Sequence, residues 1–202
     1  MSKLLPICVL LLLPGLPGRH ESPVFGGRIV YENEFQTLAG ETLYFAVKPK
    51  NWLYIQGNNF KFYDRHQKMQ QLYLGHENRF YRFEKGQAVR VTDTAHPVAQ
   101  AVPTYLTTTA TILGYRCQTL QLAQGGVSTL VYYSPQVRVK AAAFSRCPAP
   151  GWFALLQATG GALPLRTIAV DVEHDVTSTS EAISIQTMPL AAADFTITAP
   201  AR

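Results

Sequence analysis

Charge is scarce in this 202-residue chain. Only 15% of residues are Asp, Glu, Lys or Arg, which excludes a solvated, disordered polyelectrolyte. Cysteine occurs three times, too seldom for a disulfide-dense scaffold. Glycine and proline, at 14 and 13 residues, sit near average usage, so collagen-like and low-complexity readings fall away. Long apolar runs are missing apart from one near the N-terminus, and the mean hydropathy is close to zero, which excludes a multispanning helical membrane protein. Catalytic signatures are missing too. There is no Gly-x-Ser-x-Gly elbow, no His-Glu-x-x-His, no Cys-x-x-Cys and no phosphate-cradling glycine loop. What is plentiful is core material: 47% hydrophobic residues, among them ten Tyr, ten Phe and two Trp. That suffices for one ordinary domain.

The N-terminus reads as an export signal. Met1-Ser2-Lys3 precedes the apolar run Leu4–Leu13, and Pro14-Gly15-Leu16-Pro17-Gly18 breaks any helix before the charged Arg19-His20-Glu21. The run is too short to span a bilayer. A lipid anchor on Cys8 lacks the small residues it needs just ahead of the cysteine. The reading is therefore a signal over residues 1–18 and a single domain over 19–202, exported to the periplasm or beyond. Removing 1–18 takes away Lys3 and Cys8 and leaves Cys117 and Cys147. An even pair in an exported chain is expected to form one disulfide, worth roughly 3–4 kcal/mol in the chain-entropy model. No transmembrane segment is expected in the mature chain.

From Gly27 onward the hydrophobic period is two. Ile168, Val170 and Val172 are expected to point inward, with Asp171 and Glu173 outward; Ile183/Ile185 and Phe195/Ile197 alternate likewise. Further strands are expected at 28–36, 42–48, 51–56, 59–64, 70–75, 79–84, 87–92, 114–122 and 127–133. Short Gly/Asn-rich punctuation, such as Glu84-Lys85-Gly86 and Gln124-Gly125-Gly126, implies hairpins and an antiparallel meander. Residues 93–110 suit a long loop or a poor helix. Residues 150–159, followed by Gly160-Gly161, suit a short apolar helix with a glycine stop.

Charge is segregated. Lys48 to Arg90 holds nine basic and three acidic residues, whereas Thr167 to Arg202 holds five acidic and one basic. Within the basic stretch the aromatics Trp52, Tyr54, Phe60, Phe62, Tyr63, Phe80, Tyr81 and Phe83 interleave with the cations. Such a pattern fits a single-stranded nucleic-acid platform, but nucleic acid is a poor partner for an exported chain. Strand alternation explains it more simply, with aromatics inward and cations outward. Asp171, Glu173 and Asp175 recur every second residue, and a solvated strand face accounts for them better than a calcium site, since no loop glycine accompanies them. His66 and His76 read as surface residues, and His174 as a cap on the rim of the inward series. No catalytic residue, metal ligand or cofactor is expected.

Two segments carry a family resemblance. Ile112-Leu113-Gly114-Tyr115-Arg116-Cys117-Gln118, then Val131-Tyr132-Tyr133-Ser134-Pro135, resemble the Gly-Tyr-x-Cys strand and the aromatic-Ser/Thr-Pro strand of small exported bacterial proteins. These belong to the outer-membrane lipoprotein-carrier-like (LolA-like) superfamily and include the GLPGLI-type relatives. Leu163-Pro164-Leu165 and Phe195–Pro200 stand where those relatives carry a Leu-Pro-Leu segment and a final strand. The mature chain departs from them in lacking the GLPGLI tract and in having Tyr133 where Trp is usual. The family-motif positions are Gly114, Tyr115, Cys117, Tyr133 and Pro135. The resemblance implies a mainly β fold, a curved antiparallel sheet forming an unclosed half-barrel, with one or two short helices over its concave face. It implies a non-enzymatic monomer holding an acyl chain or a lipidated protein. Trp52, Phe60, Phe62, Trp152 and Phe153 are the residues expected to line the cavity. The alternative is a structural or interaction module of the envelope whose concavity is filled by its own side chains.

Overall fold

The computed structural model describes residues 23–43, 48–91 and 102–197. The expected export signal over 1–18 lies outside these, as do residues 44–47 of one expected strand and 93–101 of the expected loop. Among the described residues eleven strands form one antiparallel sheet. They are β1 (Gly27–Gln36), β2 (Lys50–Gln56), β3 (Asn59–Tyr63), β4 (Met69–Leu74), β5 (Arg79–Glu84), β6 (Gln87–Val91), β7 (Thr104–Ile112), β8 (Tyr115–Gln124), β9 (Val127–Arg138), β10 (Ala162–Asp171) and β11 (Val176–Thr187). The spatial order is β6-β5-β4-β3-β2-β1-β11-β10-β9-β8-β7. Two meanders thus meet where the first strand pairs with the last. Between β9 and β10 run a 3-10 turn (Ala141–Phe144) and a helix, α1 (Trp152–Ala158).

Turn chemistry explains the tight hairpins. Leu113 and Gly114 join β7 to β8 with φ of 49° and 81°, and Gly125 and Gly126 join β8 to β9 with 56° and 82°. Two successive positive φ values are what a two-residue hairpin loop requires, because they match the twist of the flanking strands. Register then decides which side chains share a face. Opposed pairs put Ile29 with Leu53, Ile55 with Phe60, Phe60 with Tyr73, and Tyr73 with Phe80 on one face. All of these are buried.

That face is concave. Trp152, at the start of α1, stacks 5.3 Å from Phe60 of β3, while the carbonyl of Ala158, at the helix end, accepts a hydrogen bond from the Tyr105 hydroxyl of β7. Six helical steps cover about 9 Å. Seven strand intervals separate β3 from β7 in the sheet order, about 34 Å if the sheet were flat. A helix so short can touch both only if the sheet curls around it. The result is an unclosed half-barrel with its main core under the 3-10 turn and the helix, where Phe144 and Leu156 are fully buried.

Several expectations need correction. Residues 104–112 form β7 rather than a loop or helix; Thr, Tyr and Ile there favour the pleated edge position over a helix. In the described part of 42–48 Thr42 pairs only as an isolated bridge to Gln36, and Phe195 follows a 3-10 turn (Ala192–Asp194) instead of sitting in a strand. The inward series of β10 is inverted. Leu163 and Leu165 are fully buried, so Ile168 and Val170 fall on the outer face. The strand ends at Asp171, and Val172, at 67% exposure, belongs to the turn. Asp171, Glu173 and Asp175 are therefore not three residues of one strand face. Asp171 accepts from the backbone N–H and pairs with the ring of His174, and Asp175 accepts from the Leu38 N–H.

Phe60 touches Tyr73, Phe80, Phe144 and Trp152, so Phe60→Ala is expected to cost about 3–5 kcal/mol. Val172→Ser, at the exposed turn, is expected to stay within about 0.5 kcal/mol of the parent. Urea unfolding of the two variants checks both values; equal midpoints would contradict this account of the core.

Candidate functional site

The concavity is not filled completely. Between α1 and strands β8–β10 lies a cavity of about 640 Å³. Its sheet side is Leu122 of β8, Val127, Thr129 and Val131 of β9, and Thr167 of β10; its other side is Cys147, Ala149 and Pro150 through Leu155. The local sequence builds that roof. Gly151, at φ 71°, turns the chain into α1. At the other end the Thr159 hydroxyl donates to the Ala162 carbonyl 2.7 Å away, and Gly160 and Gly161 follow with positive φ. The glycine stop read from the sequence is thus the device that lets the chain reverse into β10.

Among the described residues no Asp, Glu, Lys, Arg or His lines this space. The titratable group there is the Cys147 thiol, which burial pushes up to about 11. A thiol held that high carries almost no thiolate at neutral pH and is a poor nucleophile. The indole N–H of Trp152, in the same wall, is buried without an acceptor among the described residues. What this arrangement can do chemically is bury an apolar guest along a mostly apolar, partly open space, with the Thr129, Ser145 and Thr167 hydroxyls, the Gln124 amide and the Trp152 N–H as its polar groups.

Two of the five expected lining residues, Trp152 and Phe153, line the cavity. Phe60 is buried against Trp152, and Phe62 packs at the core margin. Trp52 lies on the opposite face, in a separate groove with Arg28, Tyr54, Lys61 and Tyr63. Missed by sequence reasoning were Leu122, Thr129 and Val131; they read only as one face of ordinary strands. The family-motif positions play structural parts. Gly114 makes the β7–β8 turn, Tyr115 packs against the core, Tyr133 is buried in the small cluster that Leu155 and Ala158 join, and Pro135 is exposed beside the irregular register of β9 and β10.

The expected disulfide is not formed: Cys117 and Cys147 are both free, buried thiols. Both belong to one buried core cluster but keep different neighbours. The Arg166 charge acts on the Cys117 thiol of β8, whereas Cys147 lines the cavity.

The basic-aromatic stretch is also sorted by alternation. Phe60, Tyr73 and Phe80 go to the core, but Trp52, Tyr54, Tyr63 and Tyr81 share the outer face with the cations. The rule of aromatics inward and cations outward therefore holds for only part of it. His174 is mostly exposed and paired with Asp171. Among the described residues no group of three His, Cys, Asp or Glu side chains is arranged to hold a metal, and no helix is long and apolar enough to cross a membrane.

No family model matches the chain, and no curated protein matches it significantly. Solved structures do. The chain is similar to PNGF-II at 15% identity and a TM-score of 0.53, with 83% of this chain and 29% of that chain covered. It thus spans less than a third of the PNGF-II chain. It also matches an uncharacterized conserved protein from Thermus thermophilus at 12% identity and a TM-score of 0.43, covering 82% of this chain and 83% of that one. A domain described as outer membrane lipoprotein-sorting, from Vibrio parahaemolyticus, matches at 9% identity and a TM-score of 0.34 over 84% and 89% of the two chains. At these identities the likeness is one of fold.

Alkylation under denaturing, non-reducing conditions is expected to label both Cys117 and Cys147, as peptide masses would show; a cross-linked pair of peptides would overturn the assignment. In the native protein Cys147 is expected to label slowly at pH 7 and faster as the pH approaches 11, because burial raises its pKa and only the thiolate reacts.

Proposed function

We infer that the protein is an exported, non-enzymatic binder of an amphiphile, whose apolar chain enters the cavity between α1 and strands β8–β10. The observation that carries this reading is the cavity itself: about 640 Å³, with no charged side chain among the described residues that line it. That volume falls in the range of ordinary small-molecule sites, roughly 300–1,000 Å³. It speaks against the alternative of a module whose concavity is filled by its own side chains. Export rests on the N-terminal pattern of Lys3, the apolar run and the Pro/Gly break.

Burial alone supplies useful affinity. At about 0.8 kcal/mol per methylene, a chain of about fourteen carbons gains about 11 kcal/mol. An association cost of at least about 4 kcal/mol leaves about 7, a dissociation constant near ten micromolar. The unpartnered Trp152 N–H suits a carbonyl oxygen next to that chain, since an acceptor there relieves a buried, unsatisfied donor. Cys147, beside the cavity, plays no chemical part because it stays protonated.

Thr129→Trp places an indole in the cavity from the β9 side. It is expected to weaken binding of a fluorescent fatty acid at least tenfold while the far-UV spectrum is kept; unchanged affinity would sink this reading. Native mass spectrometry of protein purified from its source is expected to show a bound amphiphile that Thr129→Trp loses.

A further inference from the structure

The outer face of the N-terminal meander is built differently from the helix-covered face. Cross-strand register places Arg28, Tyr54, Lys61, Leu72, Tyr81 and Arg90 in one row across six strands, β1 to β6. Cations and tyrosines share it around a buried central leucine. Trp52 and Tyr63 form a pair beside this row, and the exposed Arg79 and Lys85 lie near its far end. Register assigns no Asp or Glu of β2–β6 to this face. Glu77, in the β4–β5 turn, pairs with Arg79, and the Asp194 carbonyl accepts a hydrogen bond from Lys61. Asp194, after β11, lines the same groove as Arg28 and Lys61; the other acidic residues of the outer face stand on β1 and β11, where Glu32 is opposite Glu181 and Glu34 pairs with Lys48.

We propose that this basic-aromatic face docks on an anionic lipid surface. Three observations select that partner. First, charge is complementary, because the strands of this face offer cations and no carboxylate. Second, the cations are spread out. Strands about 4.8 Å apart put the backbones of Arg28 and Lys61 about 10 Å from each other, and those of Lys61 and Arg90 about 14 Å, a spacing suited to an array of headgroups. Third, the aromatics are Tyr and Trp, rings with an apolar body and a polar tip that settle at membrane interfaces. Single-stranded nucleic acid needs free ring faces, and Lys61 occupies those of Tyr54 and Tyr63. The Lys61 ammonium sits 5.1 Å from the Tyr54 centroid, 5.7 Å from that of Tyr63 and 5.6 Å from that of Phe195. Docking by this face leaves the helix-side cavity open on the other, so the inference stands independently of what that cavity holds.

Co-sedimentation of the folded full chain with phosphatidylcholine vesicles containing roughly one phosphatidylglycerol in three tests it. Binding is expected at low salt, with strong weakening as salt rises and none to pure phosphatidylcholine. The triple variant Arg79→Ser/Lys85→Asn/Arg90→Ser changes exposed side chains only. It is expected to bind ~100-fold more weakly, at ~5-fold per cation near the surface, whereas Arg116→Ser on β8 leaves binding unchanged. Thr129→Trp is expected to keep vesicle binding, which separates this face from the cavity. No binding to the anionic vesicles, equal binding to neutral ones, or indifference to the triple change would overturn the proposal. So would competition by millimolar inorganic phosphate, or tighter binding to oligothymidylate than to vesicles.

Discussion

The structure depends on aromatic packing between a short roof and a long sheet. Phe60, Tyr73 and Phe80 rise from three neighbouring strands and meet Phe144 and Trp152 from the connection between β9 and β10. Each such ring buries a large apolar area, and tilted or edge-on pairs add to that burial. Because the helix at Trp152 also reaches the far strands, the same contacts hold the sheet in its bent form. Without them an eleven-stranded antiparallel sheet has no reason to fold over a seven-residue helix. Curvature, roof and cavity are thus consequences of one cluster.

The cavity exists because that cluster is lopsided. The large rings gather under the first meander, whereas the second meander offers Thr129, Val131 and Leu122 to the helix. Smaller side chains leave space that the roof does not collapse into, since Trp152 is already held against Phe60 and Phe144. The uncharged lining and the raised Cys147 thiol follow from the same burial.

The outer face obeys another logic. On β9, β10 and β11 the guanidinium of Arg166 lies over the Tyr132 ring and pairs with Glu181 at 2.6 Å, so charges there are matched locally. On β2 to β6 cations share the surface with tyrosines, and the strands themselves bring no carboxylate to that face; Arg79 finds its partner, Glu77, in a turn. Sheet order places these halves on either side of the β1–β11 seam, which turns a sequence-level charge gradient into a spatial one.

Alternation with period two, hairpin punctuation at Gly86 and Gly125-Gly126, and the glycine-terminated helix after Pro150 were all legible in the chain, because each is set by local backbone preference or by burial of one face. The half-barrel was legible through a resemblance in Gly114–Cys117 and Tyr133–Pro135, where Gly114 makes a turn, Cys117 and Tyr133 are buried and Pro135 is exposed. Which face is the inner one was not legible: Ile168 and Val170 look like an inward pair, yet Leu163 and Leu165 face the core, and a two-residue rhythm is the same read in either phase. Nor could Cys117 and Cys147 be placed, since their neighbours come from segments far apart in the chain. Local sequence determined the strands, the turns and the helix. Only the tertiary structure decided the curl, the cavity and the sorting of aromatics between two faces, because these arise from side chains that meet across strands far apart in the chain.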